Sequence, residues 1–158
     1  MKGWENPTYL TWYIISNIVG VIFMWLASKR PRIARMFFVL LFGWAFYFNL
    51  TSSIRTPEIY LTYSEMACSF LSRFINGWFS RNITMMVATI AIGQGLLAAG
   101  FLLRGIWVKC ASLGAMIFLI AIAPLGVGAA FPFSVTVSIA AFLVMKNDSD
   151  EFIWSGKR

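Results

Sequence analysis

The sequence has no histidine, only six acidic residues, two cysteines and five prolines in 158 residues. Without histidine, haem and chlorin pigments lose their usual axial ligand, and zinc, copper and non-haem iron lose their commonest one. A His-ligated haem or chlorin is therefore not expected, and no metal cluster can be assembled from the residues present. Cys68 and Cys110 form no C-x-x-C, so a thiol relay is absent too. The acids, Glu5, Glu58, Glu65, Asp148, Asp150 and Glu151, all fall outside the long apolar runs. Carboxylates inside a membrane are the usual mark of proton paths and ion-coupled carriers, and their absence argues against a pump. No nucleophile–base pair and no phosphate-binding loop can be found either.

What the sequence has in abundance is apolar length. Hydrophobic residues make up 59% of it and the mean hydropathy is +0.76, well beyond a water-soluble domain. A hydrocarbon core ~30 Å thick needs about 20 helical residues to cross it. Only helices or closed barrels satisfy every backbone group inside lipid. The runs lack the alternating polarity of barrel strands. The expectation is an all-α, polytopic bundle in a single transmembrane domain over residues 1–158, with spans near 9–28, 33–51, 83–103, 107–124 and 131–146. The first run lacks the basic flank and cleavage site of a signal peptide, and Lys29, Arg30, Arg32 and Arg35 follow it as a stop-transfer cluster.

Charge sets the expected orientation. Nine basic residues belong to the turns at Lys29–Arg35 and Arg104–Lys109 and to the tail after Met145; four, Lys2, Arg55, Arg73 and Arg81, fall on the other side. The asymmetry puts the N-terminus outside and the C-terminus inside a bacterial cytoplasmic membrane. The same distribution explains the net charge of +7 without a nucleic-acid partner. The alternative is four spans, with Trp107 to Met145 as one broken element. A helix of that length would reach ~58 Å, so a turn bracketed by Pro124 and Pro132 and loosened by Gly126 and Gly128 favours five. Trp4, Trp12 and Tyr13 would lie in the outer aromatic belt, and Trp25, Trp107 and Trp154 in the inner one. Most aromatics of the first hairpin, Trp25, Phe37, Phe38, Phe42, Trp44, Phe46 and Phe48, are expected to face outward, to lipid or to a partner subunit.

Between the second and third spans, Thr56 and Pro57 are good helix-start residues. From Ile59 to Trp78 apolar residues recur at spacings of three and four. The pattern predicts one amphipathic interfacial helix over 57–79. It is either a lid sealing the bundle or the roof of a recess for lipid or quinone.

Gln94 sits mid-span between Gly93 and Gly95. Gly95 and Ala99 repeat the small-x-x-x-small spacing of tight helix crossings, and Gly93 and Gly100 extend the small face. A buried amide there ties helices together or polarises a ligand, but it does not titrate. Asn49 takes the same structural reading. Ser134 and Ser138, four apart, are expected to bond back to their own backbone or to a neighbouring helix. Gln94, Asn49, Arg73 and Trp78 are the candidate cofactor-contacting residues; none is expected to be catalytic.

Over residues 90–145 the chain resembles the DoxX-like family of small bacterial membrane proteins. The resemblance rests on Gly95-Leu-Leu-Ala-Ala-Gly-Phe-Leu-Leu-Arg104, on Ala121-Ile-Ala-Pro-Leu-Gly-Val-Gly and on Phe131-Pro-Phe. It implies a helical bundle that accompanies membrane oxidoreductase assemblies, some linked to thiosulfate:quinone oxidoreduction. Two readings follow. The first is a non-catalytic accessory or scaffold subunit of a membrane complex, partnered by lipid and other subunits. The second is a quinone-linked oxidoreductase membrane subunit with a recess between the interfacial helix and the spans bearing Gln94 and Asn49. A small-molecule or lipid carrier is a weaker third.

Overall fold

A computed structural model describes residues 7–129 and 131–154; Lys2 and Trp4, assigned above to the outer side, lie outside them. Every regular element among the described residues is helical. The long helices are α1 (Pro7–Lys29), α2 (Pro31–Arg55), α4 (Ile83–Leu102), α5 (Ile106–Ile122) and α6 (Phe133–Asn147). Between α2 and α4 lie a 3₁₀ helix (Pro57–Glu65), the short α3 (Ser69–Phe74) and a π-helical turn (Ile75–Phe79). A 3₁₀ segment (Ala123–Ala129) joins α5 to α6.

Local chemistry explains the breaks. Arg30 alone separates α1 from α2, because Pro31 lacks the N–H that would continue the first helix and fixes φ for the next one. Gly105, at φ +60°, turns the chain between α4 and α5, a left-handed conformation open to glycine. The apolar runs thus become helices within a few residues of the expected bounds.

Four stretches, Leu10–Lys29, Pro31–Arg55, Ile83–Leu102 and Ile106–Gly126, are long and apolar enough to cross a membrane; Phe133–Asn147 is a shorter apolar helix. In sequence order the helices pack as a ring. α2 lies along α4, α4 along α5, α5 along α6, and α6 returns onto α1, which also touches α2. Large apolar side chains such as Ile18, Leu40, Trp44, Ile92, Leu96 and Ile117 point away from this ring, as helices immersed in lipid require.

The interior combines small residues with aromatics. Ala27, Ala34, Ala98, Ala111, Ala115, Ala140 and Ala141 let backbones approach, the usual device of membrane helix packing. Phe38, Phe42 and Phe101 fill the centre as a parallel stack, with Phe38 and Phe101 centroids 4.5 Å apart. The expectation of an outward-facing first hairpin therefore holds for Trp25, Phe37, Trp44 and Phe48 but not for Phe38 and Phe42, which are core residues.

Glycine packing also differs from expectation. A Cβ on Gly95 would lie 3.1 Å from the Phe46 ring, and one on Gly100 only 2.7 Å from the Ala111 Cβ. Gly95 thus admits α2 and Gly100 admits α5. Gly93 faces open space and Ala99 is exposed. The small-residue crossing runs through Gly95 and Gly100 on two faces of α4, not along a Gly95–Ala99 stripe. Gly114 of α5 is a third close approach, against Leu97.

Candidate functional site

The ends of the bundle are distinguished here as the cap end, covered by residues 57–79, and the tail end, where residues 148–154 lie. The cap is not the single helix its periodicity predicts. It breaks at 66–68, where the Cys68 N–H donates to the Pro124 carbonyl at 3.3 Å. Gly126 completes the junction: it has φ +65°, and a Cβ there would come within 3.0 Å of the Met66 carbonyl oxygen. Backbone pairing with the 123–129 segment therefore wins over continued helical periodicity. Beyond the break, the π turn brings Ile75 and Phe79 inward together, and π turns of this kind recur at functional sites. Tyr60, Ile75, Phe79 and Val87 form a small apolar cluster of their own.

Beneath the cap lies a cavity of about 410 Å³, bounded by the cap elements and by α2, α4, α5 and α6. Its volume lies within the range of small-molecule sites, and its wall is mostly apolar, as such sites are. Phe42, Phe74, Phe79, Phe118 and Phe133 supply aromatic surface. Asn49, Tyr60, Tyr63, Gln94 and Ser134 supply the polar atoms.

Three of these groups form a chain. The Tyr60 hydroxyl donates to Asn49 Oδ1 at 2.6 Å, and Asn49 Nδ2 donates to Gln94 Oε1 at 2.7 Å. These two neutral hydrogen bonds link the cap, α2 and α4. Burial pushes the Tyr60 hydroxyl above its ordinary titration range, partly offset by the neighbouring Ser52 hydroxyl and reinforced by Tyr63, so it remains a protonated donor. Ser134, on α6, is fully buried against the same cavity, and its hydroxyl has no partner. The bond expected from Ser134, to its own backbone or to a neighbouring helix, is not made. In a low-dielectric interior an unpartnered hydroxyl carries a desolvation cost, so it calls for an explanation.

The structure sorts the sequence candidates in two. Asn49 and Gln94 meet at the cavity, as neighbours across α2 and α4. Arg73 and Trp78 are exposed: Arg73 Nε donates to the Ser69 carbonyl at 3.4 Å, and Trp78 stacks on Phe74. Neither touches the cavity. The cavity wall also includes Tyr60, which the sequence reading did not single out, and Ser134, which it took only for a helix-bonding hydroxyl. Cys68 and Cys110 are both free and exposed.

The tail end buries one charge of the basic Lys29–Arg35 turn. Arg35 is fully buried, and its Nη1 lies 2.9 Å from Oδ1 of Asp148, whose carboxylate is itself almost wholly buried. Arg35 also donates to the carbonyls of Phe101 (3.1 Å), Glu151 (2.7 Å) and Leu103. The Phe101 and Leu103 carbonyls sit at the C-terminus of α4, where carbonyls lack intrahelical partners and carry the negative end of the helix dipole. Around this core, Arg32 pairs with Glu151, Lys109 with Asp150 at 3.7 Å, and Arg104 covers the Phe152 ring at 4.9 Å. The acidic tail is a clasp, built by residues 113 positions apart.

Chemically, the cavity wall offers amides and hydroxyls that hydrogen-bond to a guest but hold no mobile proton near neutral pH. Among the described residues no group of three His, Cys, Asp or Glu side chains converges as metal ligands would. Set against known proteins, the chain matches no family model, no curated protein and no solved structure.

Proposed function

We propose that this protein is a non-catalytic accessory subunit of a bacterial membrane assembly, and that it holds a small neutral lipophile beneath its cap. One observation carries the reading: a largely apolar cavity of about 410 Å³ whose wall contains a buried hydroxyl, Ser134 Oγ, with nothing to bond to. A hydrophobic guest with one polar end satisfies both features. The wall has no charge to hold an ionic guest and no group to transform one.

In this reading the chain crosses the membrane five times, α6 included, with the cap outside and the acidic clasp in the cytoplasm. The basic turns on the clasp side support that orientation. Cysteine labelling should then reach exposed residues near Ser53, such as Arg55 and Thr56, from outside, and residues near Arg32, Lys109 and Ser149 from inside. A tail reachable from outside would leave the four-span alternative.

A quinone-linked oxidoreductase subunit is the second reading. It is favoured by the meeting of Asn49 and Gln94 at the recess, and the DoxX-like resemblance points the same way. Purification in mild detergent, solvent extraction and mass spectrometry test both readings. A stoichiometric neutral lipophile in a larger complex is expected. A redox-active quinone would favour the second reading, and bulk phospholipid alone would sink both.

A further inference from the structure

The hydrogen-bond chain at the cavity has a direction. Tyr60 donates to Asn49, whose Nδ2 donates to Gln94 Oε1. The chain therefore ends on the Gln94 amide nitrogen, a group with two N–H bonds that donates to no described residue. From α6, across the ring of helices, Ser134 borders the same cavity, and its fully buried hydroxyl is also unpartnered. The acceptor oxygens of Asn49 and Gln94 are already engaged within the chain.

We infer that the cavity is a carbonyl-recognising site: its guest presents a neutral, acceptor-only oxygen to Gln94 Nε2 and Ser134 Oγ, with flat or aromatic carbon against the phenylalanine wall. This rests on the lipophile-binding reading above and adds the polarity of the guest. A ketone oxygen accepts two hydrogen bonds and donates none, so it completes both donors and introduces no new unsatisfied group. An alcohol in the same place brings its own O–H into a wall with few open acceptors. A carboxylate or an amine brings a charge with no counter-ion among Asn49, Tyr60, Tyr63, Gln94 and Ser134. Leaving a buried donor unmade costs roughly 1–3 kcal/mol, and about 1.4 kcal/mol is tenfold in affinity.

The test uses three compounds of nearly one shape: benzophenone, benzhydrol and diphenylmethane, which place C=O, CH–OH and CH₂ between the same two rings. Binding to the detergent-purified full chain is measured by native mass spectrometry. Irradiation of bound benzophenone, which inserts into nearby C–H bonds, locates it by peptide mapping. The ketone should bind about tenfold more tightly than the alcohol and more tightly than the hydrocarbon, with crosslinks on cavity residues such as Met86.

Ser134→Ala, which leaves the Tyr60–Asn49–Gln94 chain intact, should lower ketone affinity several-fold and leave diphenylmethane unchanged. Gln94→Leu should do the same in a chain of unaltered helicity. Equal binding of all three compounds would overturn the polarity and keep the lipophile site. Preference for the alcohol would overturn it as well, by showing the amides facing the other way. Failure of all three to bind would overturn both the inference and the reading beneath it.

Discussion

At the tail end the bundle buries a full ion pair, Arg35 with Asp148, whereas at the cap end it buries only neutral groups, Tyr60, Asn49, Gln94 and Ser134. The tail-end charge is closed off completely. Three carbonyls and a carboxylate surround one guanidinium, and the neighbouring core of Phe38, Phe101, Val108 and Val144 is densely filled. At the cap end fewer bonds are made, donors are left over, and a cavity remains. A buried charge tolerates no missing partner, because removing it from water costs several kcal/mol. Neutral amides tolerate one at lower cost, and that margin lets a site stand open for a guest. Polarity at the tail end serves assembly of the fold; at the cap end it is available for recognition.

Perturbing each end should separate these roles. The largest effect is expected for Asp148→Ala, which strands Arg35: about 3–5 kcal/mol of stability, read as a large fall in the detergent melting temperature. The double variant Arg35→Met with Asp148→Leu should recover much of that loss, because no unpaired charge then remains. A small loss in the single variant would mean that the carbonyls alone satisfy the guanidinium, and the contrast between the two ends would fail. Next comes packing. Gly100→Val forces side-chain volume against Ala111 and should cost about 1–3 kcal/mol, while Gly93→Ala, facing open space, should cost far less. Smaller again is Gln94→Leu, expected to lower stability by about 1 kcal/mol or less with the fold kept. A loss as large as that of Asp148→Ala would assign the amide chain to the scaffold rather than to the site.

Much of this was legible in the sequence, because apolar length over a whole span dominates local detail. The helix bounds and the α5–α6 break near Pro124 follow from runs and prolines, and the isolated amides Asn49 and Gln94 stand out as candidates, though their contact does not. What was not legible depends on partners distant in sequence. Arg35 looks like its neighbours Lys29, Arg30 and Arg32 until Asp148 folds back onto it. The 57–79 segment has helical periodicity throughout, and only the Cys68–Pro124 bond and the fit of Gly126 against Met66 reveal the interruption. Ser134 and Ser112 look like ordinary helix serines, and only the three-dimensional packing leaves their buried hydroxyls unpartnered. The Gly95–Ala99 spacing was a sound pattern on α4, but its partners lie on different faces.

The smallest effect expected is also the sharpest control, because it sets two arginines of the same turn against each other. Arg32 and Arg35, both in the first turns of α2, each pair with an acid of the tail. Arg32 is about a quarter exposed and Glu151 about half exposed, while Arg35 and Asp148 are shut away from water. An ion pair in water gains little, since solvent and salt screen the attraction and two long side chains must be held still. Glu151→Gln should therefore change stability by less than about 1 kcal/mol, a change that shrinks further at high salt. The Glu151 backbone carbonyl, which accepts from Arg35, is untouched by this substitution. A melting temperature that falls as far as in Asp148→Ala would show that the tail is held by its whole charge pattern rather than by one buried pair. Near-identity with the unaltered chain would show that the exposed Arg32–Glu151 pair adds little to the closure of the tail end.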